Sequence, residues 1–586
     1  MKKYWAVLIP VLACFLYFRL IVPYHLCFKE QIQLFVFSWS HMISYFSKPA
    51  SLAYLGGDFL TQFFYFKSGG AAVVTLLLAV EWLLVFQIFK RFSVRRYALL
   101  WSLFPVIVEW VSFSSVSFSV SFSVSFIIAL SAFLIASLPA PLPERGEASV
   151  SQVSSVQRKF SLPLGEGRGW GLLMIPLLYM MAGASVFLFL ILVILYDIHC
   201  GRKRLVYWAT ISVLTITLPI LLRHFYLLTP QQAYLYPFSD LNYMLSLPAL
   251  TFAVLLFVCF NRLRGENYGV SYFAVTLVML ASVLVAGLVK TTDRKQEYLF
   301  GITLEAYHNN WDRVLEIAEK AELKNPIATY YTNLALSHKS LLGERFMDFY
   351  QPFTNGLFLP ISPNSSWFTL FSGNDAYYHI GDMDMAQHAA MIGMLFVPRQ
   401  RSVRMVERLA EINMATGDIP AATKYTRILE STLFHKIKAE KGMANVESGF
   451  IQPVFNEDIM RKATDIKLSL ELLVENNPDH LPALNYLLCY YLLNKDIPAF
   501  FKAYTAYGKG KFIPVPKNYA EALLIYFAVT KTTARELSEY GIRNEMFKSF
   551  GEYTRLFEDS NGDLAPLQEK FPNTYWLFYH FALMED

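Results

Sequence analysis

Two carboxylates occur in a stretch that is otherwise rich in aromatic residues. Glu30 begins the sequence Glu-Gln-Ile-Gln-Leu-Phe, and Asp58 follows a Gly-Gly pair, both between residues 23 and 69. A carboxylate can act as a general base if it lies within hydrogen-bond reach of the proton that it removes. Glu30 and Asp58 are therefore the candidates for acid–base chemistry in this stretch.

Three basic side chains are candidates for binding a phosphate group. Arg19 lies near the end of the first apolar segment, and Arg223 and His224 directly follow a later one. Positive charge stabilises a phosphate leaving group, so we predict phosphate or ligand binding at these positions. The alternative is that each of them is only an interfacial charge.

Two further acids, Glu81 and Glu109, lie inside apolar segments. Glu81 falls near the middle of its segment, and Glu109 falls near one end of another. We predict that both are intramembrane polar residues. A charge in the middle of a span is costly and usually has a function or a partner, so Glu81 is either functional or paired with a neighbouring helix. For Glu109 the alternative is an interfacial charge.

No established metal or nucleotide motif accompanies these residues. The sequence contains no HExxH and no CxxC among its eleven histidines and five cysteines, so no metal site is predicted from motifs. The net charge of +5 is not gathered into a basic stripe, which argues against a nucleic-acid partner.

The segments that must position these residues are membrane spans. Hydrophobic residues make up 55% of the 586 residues and charged residues only 17%, and the charges become frequent only after about residue 290. One span needs about 20 apolar residues. Such segments lie near residues 4–22, 70–89, 97–113, 119–138, 205–222, 242–260 and 271–289.

The stretch 170–199 is too long for one span and short for two. Cations precede and follow it, so we predict a hairpin that turns near Ala182–Ala184, which makes nine passes in total. The segments then assigned to the cytoplasm carry fifteen Lys and Arg residues against four outside. We predict a multipass protein of a bacterial inner membrane with a cytoplasmic N-terminus, a disordered cytoplasmic loop at 139–170 and an extracytoplasmic domain at 290–586.

The second half repeats itself. Breaks between helical segments are predicted at Asn309–Trp311, Gly343–Arg345, Gly381–Met383, Gly417–Ile419 and Asn494–Asp496, with spacings of 34, 38, 36 and 77 residues. This period resembles that of tetratricopeptide repeats, over about residues 293–545 with an irregular insert at 351–367. The fold class is therefore all-α, a helix bundle followed by a helical-repeat domain. The resemblance implies a protein or peptide partner, and the alternative is a structural cap.

The loop at 23–69, with two interfacial helices and an acid soon after the first span, resembles the outer loop of membrane glycosyltransferases of the C-type fold. The resemblance implies transfer of a sugar from a polyprenyl-phosphate carrier, with the loop carboxylate acting as a base or binding a divalent metal. Glu30 lies roughly where that carboxylate would be, so the resemblance implies that Glu30 is the catalytic base, with Asp58 as the second candidate. The chain also looks like an uncharacterised family of bacterial multipass proteins that share the Glu-Gln-x-Gln-Leu-Phe loop. Membrane lipid is a partner in every case.

Three functions remain open at this point. The first is a C-type glycosyltransferase-like enzyme. The second is a non-enzymatic envelope assembly factor whose repeat domain binds partner proteins. The third is a lipid or solute transporter that uses Glu81.

Overall fold

A computed structural model describes residues 2–92, 98–137, 170–201, 204–238, 270–436, 465–531 and 539–583. These residues form helices, turns and loops, and no strand occurs among them, which confirms the all-α class. The chain divides into two compact units. The first, the membrane unit, comprises Met1–Glu30 and Phe35–Asp293, and the second, the helical unit, comprises Gln31–Leu34 and Arg294–Asp586.

The membrane unit contains thirteen described α-helices. The first helix continues as a π-helical turn over Tyr17–Ile21, and Ala182 is followed by a 3-10 turn. The helices are α1 Lys2–Leu16, α2 Tyr24–Gln31, α3 Trp39–Ser44, α4 Ser51–Thr61, α5 Lys67–Arg91, α6 Ala98–Trp101, α7 Leu103–Phe113, α8 Val120–Ala136, α9 Trp170–Ala182, α10 Val186–His199, α11 Leu205–Leu222, α12 Pro230–Leu235 and α13 Val270–Thr291.

Several of these helices are long and apolar enough to cross a membrane. Within the described ranges there are four such helices, and a fifth if the bent pair Leu8–Ile21 and Tyr24–Gln31 forms one span. The unit is therefore compatible with an integral membrane protein. The predicted span 242–260 and the predicted loop 139–170 lie outside the described residues, so the number of passes stays a prediction.

The predicted turn within 170–199 coincides with a break in the helix. Met174–His199 together have the length of one candidate span, but the chain leaves the helical path at Gly183, whose φ is +64°. The amide of Ala184 donates instead to the carbonyl of Tyr236, at 2.6 Å. Backbone groups freed by such a break are tolerated inside a membrane protein when other segments satisfy them. That the two arms cross separately stays a prediction.

Gly183 gives a first testable prediction. A Cβ atom at this position would lie 2.1 Å from the carbonyl oxygen of Tyr236, whereas a Cβ at Gly201, also at positive φ, meets nothing within 4 Å. Both alanine variants carry the cost of a left-handed residue, about 1–2 kcal/mol, but only Gly183→Ala adds the steric overlap. We expect Gly183→Ala to lower the melting temperature of the purified protein several degrees more than Gly201→Ala. Equal melting temperatures would contradict this packing.

The helical unit continues the chain with sixteen described α-helices that pack mainly against their sequence neighbours. They are α14 Arg294–Tyr307, α15 Trp311–Ala321, α16 Pro326–His338, α17 Leu342–Arg345, α18 Trp367–Ser372, α19 Asn374–His379, α20 Met383–Phe396, α21 Val403–Ala415, α22 Ile419–Glu430, α23 Ile466–Asn476, α24 Leu481–Leu493, α25 Ile497–Ala503, α26 Lys517–Thr530, α27 Asn544–Asp559, α28 Leu564–Lys570 and α29 Tyr575–Phe581.

Four of the five predicted breaks separate consecutive helices. The exception is Gly343–Arg345, which lies inside the short helix α17. The carbonyl of Gly343 accepts a hydrogen bond from the side-chain amide of Asn518 at 3.0 Å. The predicted insert at 351–367 is confirmed as an irregular segment, since it contains only a 3-10 turn before Trp367.

Candidate functional site

The helix that carries Glu30 is anchored inside the membrane unit. The axes of α1 and α2 differ in direction by 73°. After this bend, Lys29 donates from Nζ to the carbonyls of Ser115 and Phe118, at 3.0 and 2.9 Å. Both carbonyls belong to the turn between α7 and α8. Glu30 is therefore held in a buried position, 6% exposed, in the last turn of α2.

The first of the two interfacial helices predicted for the loop was expected to start at Glu30, but the residues that follow Gln31 do not form a helix. The helix ends at Gln31, and the chain is non-helical as far as Ser38. The reason is that Gln31–Leu34 belongs to the helical unit, where its backbone forms other hydrogen bonds. The hydroxyl of Ser402 donates to the carbonyl of Gln31 at 2.7 Å, and the amide of Val403 donates to the carbonyl of Gln33 at 3.0 Å.

Asp58 is fixed by a tyrosine from the same loop. It lies on α4, is 8% exposed, and accepts a hydrogen bond from the hydroxyl of Tyr45 at 2.8 Å. The same hydroxyl lies 3.3 Å from Nε2 of His41. α4 packs closely on α8, because a Cβ atom at Gly57 would lie 2.6 Å from the backbone of Ser121. The carboxylate is thus placed by helix packing and oriented by one strong donor.

Aromatic rings surround this hydrogen-bonded chain. The ring of Phe35 is buried, and its centroid lies 5.4 Å from that of His41, 6.3 Å from that of Tyr45 and 6.1 Å from that of Phe59. We call His41, Tyr45, Asp58 and these two phenylalanines the loop site. It combines a carboxylate with apolar ring faces, and this combination can contact both the hydroxyl groups and the C–H faces of a polar ligand.

The three residues predicted to bind phosphate, Arg19, Arg223 and His224, form no ion pair with a carboxylate within the described ranges. Arg19 lies on the π-helical turn and is half-buried. Arg223 caps α11 and donates from Nε to Nε2 of His224 at 3.3 Å, and His224 is exposed. Their charges are therefore not used by an ion pair among described residues, which leaves them able to bind an anion.

The structure brings together the two acids that were predicted to lie inside the membrane. Glu81 of α5 and Glu109 of α7 are 0% and 1% exposed, and their carboxyl groups interact with each other. Ser123 of α8 donates a hydrogen bond to Oε1 of Glu109. The sequence predicted both residues separately but not their contact.

An apolar groove runs along the membrane unit beside the helices that carry these acids. Its volume is about 180 Å³, and its lining comes from α1, α5, α7 and α13. Trp82 and Trp110 contribute the largest side chains, with Leu78, Val106 and Leu280. Such a lining suits a hydrocarbon chain rather than a polar ligand.

A buried polar network in the helical unit was not predicted. Arg404 is 2% exposed and donates to Asp375 at 2.6 Å, to the hydroxyl of Tyr331 at 3.0 Å and to Oε1 of Gln31 at 3.1 Å. Leu34 packs against the apolar cluster that surrounds Val403. The Glu-Gln-x-Gln-Leu-Phe sequence therefore contributes Gln31 and Leu34 to the helical unit and Phe35 to the loop site.

Glu521 provides a pH-dependent test of the helical unit. It is 1% exposed and accepts a hydrogen bond from the amide of Tyr575 at 2.5 Å. Burial raises the pKa of Glu521 to about 8, although the charge of Lys517 and that hydrogen bond lower it in part. Because the pKa of Glu521 is raised in the folded protein, its protonated side chain contributes fully to the free energy of unfolding below the ordinary pKa near 4.5. This contribution is lost as the pH rises through about 8.

We therefore expect Glu521→Gln to match the wild type near pH 5 and to be more stable near pH 9, by about 1–4 kcal/mol. Unfolding of both proteins at the two pH values measures the difference. Glu319→Gln, at an exposed carboxylate of a surface ion pair, is the control and should show no such trend. A constant difference between wild type and Glu521→Gln would contradict a buried, protonated side chain.

Within the described ranges, no group of three or more His, Cys, Asp or Glu side chains is arranged to hold a metal ion.

Comparison with known protein families gives a match over residues 1–582 to a model described as "Family of unknown function (DUF6057)". No curated protein and no solved structure matches the chain.

Proposed function

Because the chain belongs to the DUF6057 family, whose function is unknown, we propose from its geometry that it is a C-type glycosyltransferase-like enzyme. It would transfer a sugar from a polyprenyl-phosphate carrier to an acceptor hydroxyl. The observation that carries the proposal is the 73° bend after the first helix, which leads into a loop with two buried acids, Glu30 and Asp58.

The chemistry assigned to the loop follows from the residues present. One carboxylate, Glu30 or Asp58, takes the proton of the acceptor hydroxyl as the sugar leaves its phosphate. The phosphate that remains needs positive charge, which Arg19, Arg223 and His224 supply. The apolar groove of about 180 Å³ suits part of the isoprenoid chain.

The proposal includes an orientation. We place the N-terminus in the cytoplasm of a bacterial inner membrane, because Lys2 and Lys3 precede the first span. The hydroxyl of Tyr17, at the other end of that span, lies 2.7 Å from the hydroxyl of Thr292, at the end of α13. The helical unit begins at Arg294, so this contact supports its extracytoplasmic position.

Mass spectrometry of lipids that co-purify with the detergent-solubilised protein tests the assignment of the donor. We expect a polyprenyl phosphate, or a sugar-linked form, with the wild type and at least tenfold less with Arg19→Ala or Arg223→Ala. Arg345→Ala, at a surface ion pair of the helical unit, is the matched control and should retain the lipid. Bulk phospholipid alone in the wild type would contradict the proposal.

A second candidate function is that of an envelope assembly factor. A groove of about 590 Å³ in the helical unit favours it, with a lining that includes Glu319, Lys324, Asp348 and Tyr350. Charged groups next to an aromatic ring suit a peptide of a partner protein. If this function is the correct one, Lys324→Glu in the full chain should fail to complement a deletion, whereas Glu30→Gln and Asp58→Asn should complement it.

A further inference from the structure

The paired acids inside the membrane unit are not used by the proposed transferase chemistry. Glu81 and Glu109 lie on α5 and α7, and each is almost completely buried. Their carboxyl groups interact with each other, and Ser123 donates to one oxygen of Glu109. The pair is therefore a polar site enclosed by apolar helices.

Three of the four carboxyl oxygens lack a donor. Neither oxygen of Glu81, nor Oε2 of Glu109, accepts a hydrogen bond from the part of the chain that the structure describes. Two ionised carboxylates in contact repel each other, and a buried charge without a partner is costly. A single proton removes one charge and turns one carboxyl into a donor for the other.

The helices around the pair carry few described ionisable groups. Among the described side chains packed around α5 and α7, the ionisable groups are Cys14, Tyr17 and Arg19 on the first helix, Tyr65 before α5 and Lys290 at the end of α13. The cations of α5 itself lie at its two ends, at Lys67, Lys90 and Arg91. Among these described cations, none forms an ion pair with either acid.

We propose that Glu81 and Glu109 form a proton-binding site in the interior of the membrane unit, with Ser123 as an additional donor. The ligand is one proton held between the two carboxyl groups. Since the acids lie on different helices that both pack against further helices, gain or loss of this proton changes the contact between α5 and α7. Any movement of these two helices is then coupled to proton binding.

Infrared spectroscopy of the purified full chain tests this proposal, because a protonated carboxyl has a C=O stretching band that a carboxylate lacks. Glu521 is also protonated at neutral pH, so the test uses a Glu521→Gln background. We expect the band in this background at neutral pH and its loss when Glu81→Gln and Glu109→Gln are both added. In each single variant the remaining band should shift in frequency, since its hydrogen-bond partner changes from a carboxyl to an amide. Size-exclusion chromatography verifies that the variants are folded.

Other outcomes would overturn the proposal. No band at neutral pH in the Glu521→Gln background means that no proton is bound by the pair. A band of unchanged frequency in both single variants means that the two acids do not share a hydrogen bond. Loss of the band when potassium is replaced by sodium means that the pair binds a metal cation instead. Glu319→Gln, an exposed position, should leave the band unchanged.

Discussion

Replacing Arg404 by alanine is expected to destabilise the helical unit by about 3–5 kcal/mol, because it removes one of the two arginines that pair with a buried carboxylate. Asp375 and Arg404 are 3% and 2% exposed and are joined at 2.6 Å. Burial alone raises the pKa of Asp375, but the charges of Arg404 and Arg408 lower it, so that it lies below its ordinary value. The carboxylate therefore stays charged in Arg404→Ala and keeps Arg408 as its ionic partner, at 2.8 Å, together with a hydrogen bond from the hydroxyl of Tyr331 at 2.7 Å.

Denaturant unfolding of the purified full chain measures this effect. The same substitution removes the hydrogen bond from Arg404 to Gln31, so limited proteolysis within residues 31–38 should also become faster. Arg345→Ala is the control, because its ion pairs are at the surface and are worth about 0–1 kcal/mol each. Similar losses in Arg404→Ala and Arg345→Ala would show that the buried network contributes little.

The helices of the chain were predicted well where the sequence pattern that indicates them lies within neighbouring residues. Apolar segments of span length appear as helices at α5 and α11, close to the predicted boundaries. The helix starts after Asp418 and Asp496 were also predicted, and each aspartate caps its helix, at 3.0 and 3.1 Å. Hydrophobic length and capping residues are properties of neighbouring positions, so a single sequence is enough to recognise them.

The contacts between side chains of different helices were not predicted, because they depend on packing between residues that are far apart in the sequence. Glu81 meets Glu109 only because α5 and α7 pack with particular faces together. Arg404 binds Gln31, which is more than three hundred positions earlier in the chain. The same contact helps to explain why the helix ends at Gln31, although the apolar spacing of the next residues is compatible with a helix. Tertiary hydrogen bonds therefore outweighed a local preference.

The acids of the loop give the prediction with the largest effect on activity. Under the proposed mechanism, Glu30→Gln or Asp58→Asn is expected to reduce sugar transfer by about 100- to 10,000-fold, the usual contribution of a general base. The acid that is not the base should show a smaller loss. Asparagine at position 58 still accepts a hydrogen bond from Tyr45, so the fold of the loop should be retained.

Asp312→Asn is the matched control for this pair. Its carboxylate is exposed and pairs with Lys339 at the surface of the helical unit, so transfer should remain at the wild-type level. Membrane levels of each variant must be equal to exclude loss of the protein itself. If Asp312→Asn were as inactive as Asp58→Asn, the effect would come from general destabilisation and the assignment of a base would fail.

The measurement that tests the central claim most directly is a profile of surface glycans and glycoproteins in a strain that lacks the gene. Deletion should remove or truncate a glycan, and the wild-type gene and Asp312→Asn should restore it. The account predicts that Glu30→Gln or Asp58→Asn, expressed at the same level, does not restore it. If deletion changes the glycans and both variants restore them fully, then neither acid is the base and the proposed transferase mechanism is wrong.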